Sequence, residues 1–204
     1  MTASPEVTIR FATPNDVAAV AELHADRIAE GFLVTLGPAF LRRLYGRLVR
    51  SQRSFVLVAD VPVRASGSIV VGGFVAVSED TGALYREFLL HDGFAASLAA
   101  ARGIARAPRS VWETLRYGLR GTDSGIAAEI LATGVATEFA QRGIGARLVR
   151  AAIEELERRG AATARVVTAV GNVAAVRAYE RGGFRVCGRE EVHRGVDQEL
   201  LVWP

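Results

Sequence analysis

The segment Gln141-Arg142-Gly143-Ile144-Gly145-Ala146-Arg147-Leu148 joins an apolar strand pattern to a long amphipathic helix pattern, a junction suited to holding an anion. The strand reads Ile126 to Val135. The helix reads Gly143 to Arg159, with Ile144, Leu148, Ala151, Ala152, Glu155 and Leu156 at three- and four-residue spacing. Gly143 and Gly145 strip side chains from the turn, so the unpaired N–H groups of the first helical turn can close on a phosphate that the helix dipole also favours. Taken alone, these residues fit an ordinary glycine-rich turn as well.

A second segment decides between the two readings. Gly171-Asn172-Val173-Ala174-Ala175-Val176-Arg177-Ala178-Tyr179-Glu180-Arg181-Gly182-Gly183-Phe184 follows a strand pattern at Thr163 to Ala169 and reads as a short helix between two strands. Asn172 is a good N-cap for it, and Gly182 or Gly183 a good C-cap before a strand at Phe184 to Glu190. The two segments together resemble the GCN5-related N-acetyltransferase (GNAT) superfamily. Its acetyl-CoA motif is Gln/Arg-x-x-Gly-x-Gly/Ala followed by Asn-x-x-Ala-x-x-x-Tyr-x-x-x-Gly-Phe. The resemblance covers Glu129 to Gly188, and the strand order around it fits the whole chain loosely. It departs at one position: Ala140 stands where the family usually has Gln or Arg, and Gln141 comes one place late. Other phosphate loops fail on spacing. A dinucleotide fingerprint would need Gly or Ala at Leu148 and an acid on the strand Thr163 to Ala169, and a nucleotide-triphosphate loop would need a Lys that the chain lacks.

The resemblance implies acetyl-CoA as co-substrate. Its pyrophosphate would lie against Gln141, Arg142, Gly143, Ile144, Gly145 and Ala146. Its pantetheine would add as a strand along the edge formed by Thr133 to Thr137, beside Val135, Ala136 and Thr137, with the Val135 N–H as oxyanion donor. Asn172 would contact the pantetheine arm, or serve as a helix cap only. Acetyl transfer to an amine also needs a group to take the amine's proton, because a free alkyl amine titrates near 10. Glu129 resembles the position from which histone-type members present that base, and is otherwise a solvated strand-end residue; Glu87, Asp92 and Glu22 are weaker candidates. The leaving thiolate, with a reference value near 8.5, needs a proton, and a phenol near 10 can supply it. Tyr179 is that phenol by motif.

Composition narrows the setting. With 204 residues, half of them apolar, the chain suits a single domain over 1–204. The 25 basic residues are all Arg against 22 acids, an excess too small and dispersed for nucleic acid. The lack of Lys fits the Arg-heavy usage of a GC-rich genome. One cysteine, Cys187, leaves no internal disulfide and suits a reducing cytosol. No apolar run reaches the roughly 18 residues of a membrane span, so no membrane partner and a cytoplasmic location are expected. His24, His91 and His193 are scattered, and no metal is expected. Arg147, Arg150, Arg158 and Arg159 make a basic helix face in which Arg147 could meet the 3′-phosphate.

The elements that must position these residues follow from periodicity. Val7 to Ala12 reads as a strand, and Thr13-Pro14-Asn15-Asp16 starts a helix running to about Glu30. Gly31 to Gly37 reads as an unusually apolar loop, Pro38 to Val49 as a helix, and Phe55 to Val61 with Ser68 to Ser78 as a hairpin. Helical spacing at Tyr85 to Leu90, Phe94 to Ile104 and Val111 to Leu119 marks an insertion, about 84–121, between the third and fourth strands. It is read either as a wall of the acceptor pocket or as a core extension or homodimer contact. A hairpin through Arg194-Gly195 to Gln198 to Trp203 closes the chain.

The expected fold class is α/β (α+β), a mixed, mostly antiparallel sheet flanked by helices in the GNAT order β-α-α-β-β-β-α-β-α-β-β. The expected function is transfer of the acetyl group of acetyl-CoA to a primary amine. A small-molecule amine with an apolar part, lying against Phe32, Leu33 and Leu36, is favoured over a protein N-terminus or lysine. A non-catalytic acyl-CoA-binding module would keep the Gly143 turn without needing Tyr179 or Glu129.

Overall fold

Ser54–Pro62 (β2) and Ile69–Ser78 (β3) bury nearly every side chain along most of their length, which central strands covered on both faces require. The computed structural model describes residues 6–28, 32–63, 67–84, 86–88, 90–91, 125–193 and 196–204. The remaining strands are Thr8–Phe11 (β1), Glu129–Val135 (β4), Ala164–Ala169 (β5), Arg185–His193 (β6) and Val196–Trp203 (β7). They form a seven-stranded sheet in the order β1-β2-β3-β4-β5-β7-β6, antiparallel except between β4 and β5.

Helices cover both faces. Val17–Arg27 (α1) and Pro38–Arg50 (α3) pack on one face, where Val20, Leu41, Tyr45, Leu48, Val58, Phe74 and Ala132 form a buried cluster. Ile144–Arg158 (α4) packs on the other, burying Ile144, Leu148, Val149, Ala152 and Leu156 against Leu57, Val75, Ile130 and Val166. Val173–Arg181 (α5) lies beside α4, contributing Tyr179 to the same cluster. Gly182 permits that approach, because a Cβ there would stand 2.3 Å from Val149 Cγ1.

Two features of β4 shape the site. Its pairing with β5 comprises Glu129↔Arg165 and Ile130↔Val166, whereas its pairing with β3 continues to Val135↔Gly73. The two parallel strands therefore part after Ile130, leaving one edge of β4 open. The ladder to β3 also shifts register between Ala76↔Ala132 and Val77↔Ile130, so Leu131 is an extra residue, a β-bulge. Ile130 and Val135 pack with the α4 cluster, whereas Leu131 and Ala132 pack with the α1–α3 cluster.

Two expectations need correction. The segment Gly31 to Gly37 is not simply a loop: Phe32–Thr35 is a short helix (α2), with Leu36 N–H bonded to Leu33 O and Gly37 N–H to Val34 O. Leu36 is buried, and Leu33 packs on the α1–α3 cluster. The fourth strand begins at Glu129, later than Ile126. Residues 81–84, which lead into the insertion, and 86–88 and 90–91 within it are helical, and Phe88 meets Phe40 of α3 at 5.5 Å between ring centres. The helices expected at 94–104 and 111–119 lie outside the described residues, as does the 194–195 turn.

Candidate active site

The chain leaves β4 through a tight turn at Thr137–Phe139, pinned by the buried Phe139 ring. A Cβ on Gly72 would come within 2.6 Å of that ring, so only a bare strand residue admits it. Gln141 and Gly143 both take positive φ, 61° and 74°, and Gly143 is the left-handed N-cap of α4. The first main-chain bond into the helix is Arg147 N–H to Gly143 O, 3.1 Å, so the N–H groups of Ile144, Gly145 and Ala146 have no helical partner. The side chains of Ile144 and Ala146 are buried, so these residues offer only main chain to an anion. A Cβ on Gly145 would stand 3.7 Å from both Val135 Cγ2 and Ala178 Cβ: here β4, α4 and α5 converge.

The basic residues around the turn are differently placed. Gln141 and Arg142 are exposed, and Arg142 lies over the Phe139 ring while donating to Glu138 O. Arg147 donates to Val7 O at 2.8 Å, and Arg158 and Arg159 pair with Glu155, so the expected basic face is largely engaged within the protein.

Along the open edge of β4 the alternation of donors is settled by one bond. Ala136 N–H donates to Gly72 O at 2.9 Å, toward β3. By the period of two, the N–H groups of Thr133 and Val135 point the other way, toward the gap. Ala136 therefore has no free donor, and Thr137 accepts from Arg27 through its hydroxyl at 2.8 Å. Asn172 is committed to capping, its Oδ1 accepting from Ala175 N–H at 3.2 Å.

Tyr179 and Glu129 occupy opposite faces of the sheet. Tyr179 is buried on the α4 side, edge-on to Phe184. Burial raises its phenol above the ordinary value, and the Thr133 hydroxyl opposes that rise. Glu129 is 5% exposed and accepts from Thr81 Oγ1 and from Arg165 Nε, each at 3.3 Å. Burial pushes its carboxyl up, with Arg165 pulling it back. Arg165 is fully buried and also donates to Glu190 at 2.9 Å. The weaker candidates fare differently: Glu22 is exposed beside Arg42, Glu87 accepts from Ser51, and Asp92 lies outside the described residues, as does the Phe32 side chain.

Three residues to which the sequence reading gave no role of their own carry buried polar groups. Arg165 sits in a central strand, where an isolated Arg among apolar neighbours was a signal of a buried ion pair. Thr133 Oγ1 is buried without a hydrogen-bond partner. His24, on the α1–α3 face, bonds Tyr45 Oη at 2.6 Å through Nδ1 and leaves Nε2 buried and unpartnered. Burial lowers it to about 4, so it is neutral at ordinary pH. Among the described residues no three His, Cys, Asp or Glu cluster to hold a metal, and no helix is long and apolar enough to cross a membrane.

A mixed sheet that parts between β4 and β5, with a glycine turn leading into a helix at the opening, defines the acetyltransferase class of fold. The acetyltransferase (GNAT) family model matches residues 98–184 of the chain. No curated protein matches the chain significantly. Solved structures that share the fold include SsHAT (TM-score 0.63, 18% identity, 97% of this chain and 98% of that one). Another is aminoglycoside acetyltransferase AAC(6′)-Ib in complex with ribostamycin and coenzyme A (0.60, 20% identity, 97% and 92%). A third is the ribosomal-protein-S18-alanine N-acetyltransferase from Escherichia coli (0.57, 15% identity, 98% and 94%).

Proposed function

We propose that the acceptor is the primary amine of a small molecule with an apolar part, and that it approaches from the α1–α3 face and meets the cofactor at the gap where β4 and β5 part. In this reading acetyl-CoA places its pyrophosphate on the N–H groups of Ile144, Gly145 and Ala146, flanked by Gln141, Arg142 and Gly143. Its pantetheine runs along the open edge of β4. The amine attacks the thioester carbonyl, whose oxygen is met by the Val135 N–H or by the Thr133 N–H that points the same way. The C–S bond breaks, and the thiolate takes the Tyr179 proton. The amine's proton passes to Glu129. Glu129 and Val135 are six residues apart, roughly 20 Å along a strand, so that transfer runs through water rather than direct contact.

The observation that carries the small-molecule reading is the enclosure of Glu129. It lies under Thr81 and the helical residues that follow, on the α1–α3 face, where a compact amine fits more readily than a folded protein's tail. A protein N-terminus or lysine is the second reading, since fold relatives include enzymes named for either kind of acceptor. The inward packing of Leu33 and Leu36 accounts for their apolarity, so that apolarity no longer argues for a pocket. The test is CoA release measured with aminoglycosides, polyamines and amino acids against N-terminal and lysyl peptides. Turnover confined to peptides would overturn the small-molecule reading.

A further inference from the structure

Thr133 is the residue on the cofactor side of β4 whose side chain nothing above employs. Its place there follows from its neighbours. A Cβ on Gly134 would meet Phe74 and Arg27 on the α1–α3 side, so Thr133 and Val135 point to the α4–α5 side, where Tyr179 is buried. It stands beyond Ile130↔Val166, where no β5 residue pairs with β4. Its Oγ1 is buried and has no hydrogen-bond partner, a destabilising arrangement that a valine of the same shape would avoid.

Resting on the reading of Tyr179 as general acid, we propose that Thr133 is its positioning residue. The Thr133 hydroxyl donates a hydrogen bond to the phenol oxygen as the phenol passes its proton to the departing thiolate. The O–H bond of Thr133 stays intact throughout. The proton lost by Tyr179 is the one gained by sulfur, and the phenolate is later reprotonated from solvent.

The surroundings of the phenol make such a donor useful. Among the described residues the influences on Tyr179 are burial, which holds the proton, and Thr133, which loosens it. Val135, Val149 and Phe184, in the same cluster, are apolar and cannot stabilise a phenolate. Burial alone would make Tyr179 a poor acid, and a single donor offsets part of that. The two oxygens fall short of a hydrogen bond in this geometry, as contacts used in catalysis commonly do.

The experiment compares Thr133→Val, Thr133→Ser, Tyr179→Phe and the Thr133→Val/Tyr179→Phe double variant, using acetyl-CoA and whichever amine the screen above identifies. Thr133→Val should lower kcat about tenfold, the equivalent of one ordinary hydrogen bond. It should leave acetyl-CoA affinity unchanged and shift the alkaline limb of the kcat–pH profile upward, because the phenol then holds its proton to higher pH. Thr133→Ser should restore both. In the Tyr179→Phe background the valine should cost nothing further. Its melting temperature, at or above that of the wild type, guards against misfolding. Wild-type kcat in Thr133→Val, failure of Thr133→Ser to restore it, or an equal loss in the Tyr179→Phe background overturns the proposal while leaving Tyr179 as the acid. Full kcat in Tyr179→Phe alone removes the acid assignment, and this proposal with it.

Discussion

Glu129 and Arg165 stand opposite each other where β4 and β5 part, with Arg165 Nε donating to Glu129 Oε2 at 3.3 Å and both side chains buried. Arg165 reaches on to Glu190 at 2.9 Å, so one guanidinium links β4, β5 and β6. Buried charges of this kind persist only when paired, and removing Arg165 would strand two carboxylates. The vertex of the gap is thus held by charge, while its sides are held by apolar packing.

Gly143 carries the turn at φ 74°, a conformation that β-branched residues adopt only under strain. Gly143→Val should weaken acetyl-CoA binding on the order of 100-fold by calorimetry, about 3 kcal/mol. Equal affinity of a folded Gly143→Val and the wild type would remove the pyrophosphate from this turn.

Tyr179→Phe should reduce kcat by roughly 10²- to 10⁴-fold with acetyl-CoA affinity nearly intact, because the phenol is needed only as the thiolate forms. Pre-steady-state rates with a fixed amine provide the check. A loss seen in affinity rather than in kcat would make Tyr179 a binding residue.

Glu129 must be ionised to accept a proton, and burial raises its carboxyl above the ordinary value despite Arg165. The acid limb of the rate profile should therefore lie above the ordinary carboxylate range, with activity falling as pH drops through it. Glu129→Gln should lose most activity at neutral pH and recover as the amine deprotonates unaided at high pH. A profile parallel to that of the wild type would take Glu129 out of the proton path.

His24 is lowered by burial to about 4 from an ordinary 6.5. The folded state then favours the neutral ring, so its contribution is fully present above 6.5 and is lost as pH falls toward 4. The expected loss over that window is on the order of 3 kcal/mol, read as a decline in the urea midpoint. His24→Leu should flatten the decline, and an unchanged slope in that variant would assign acid sensitivity to other groups, Asp16 with its Arg10 partner first.

What the sequence showed best was local. The turn at Gly143, the Asn172 cap and the order of strands and helices all rest on contacts within a few residues, and the structure carries each of them. What it hid was relational. Phe32–Thr35 is too short for helical periodicity to register between its glycines, and the segment therefore reads as an apolar loop lining the acceptor pocket. The orphaned Thr133 hydroxyl depends on where β5 stops pairing, a distance of many residues in the chain. The Arg165 cluster likewise depends on β6 lying beyond β7, which no local pattern encodes.

The extra residue Leu131 has a consequence for how such an enzyme can diversify. Strict alternation would put Glu129 on the same side as Thr133 and Val135; one inserted residue reverses the parity and sends the carboxylate through to the far side. β4 becomes a wall whose side chains serve two compartments that meet at the gap beside it. Substitutions in α1, α3 or the segment after β3 can then remodel one compartment while the glycine turn and the phenol in the other keep their register. Deleting Leu131 would collapse that independence, because every side chain on one flank of the bulge would change compartments at once.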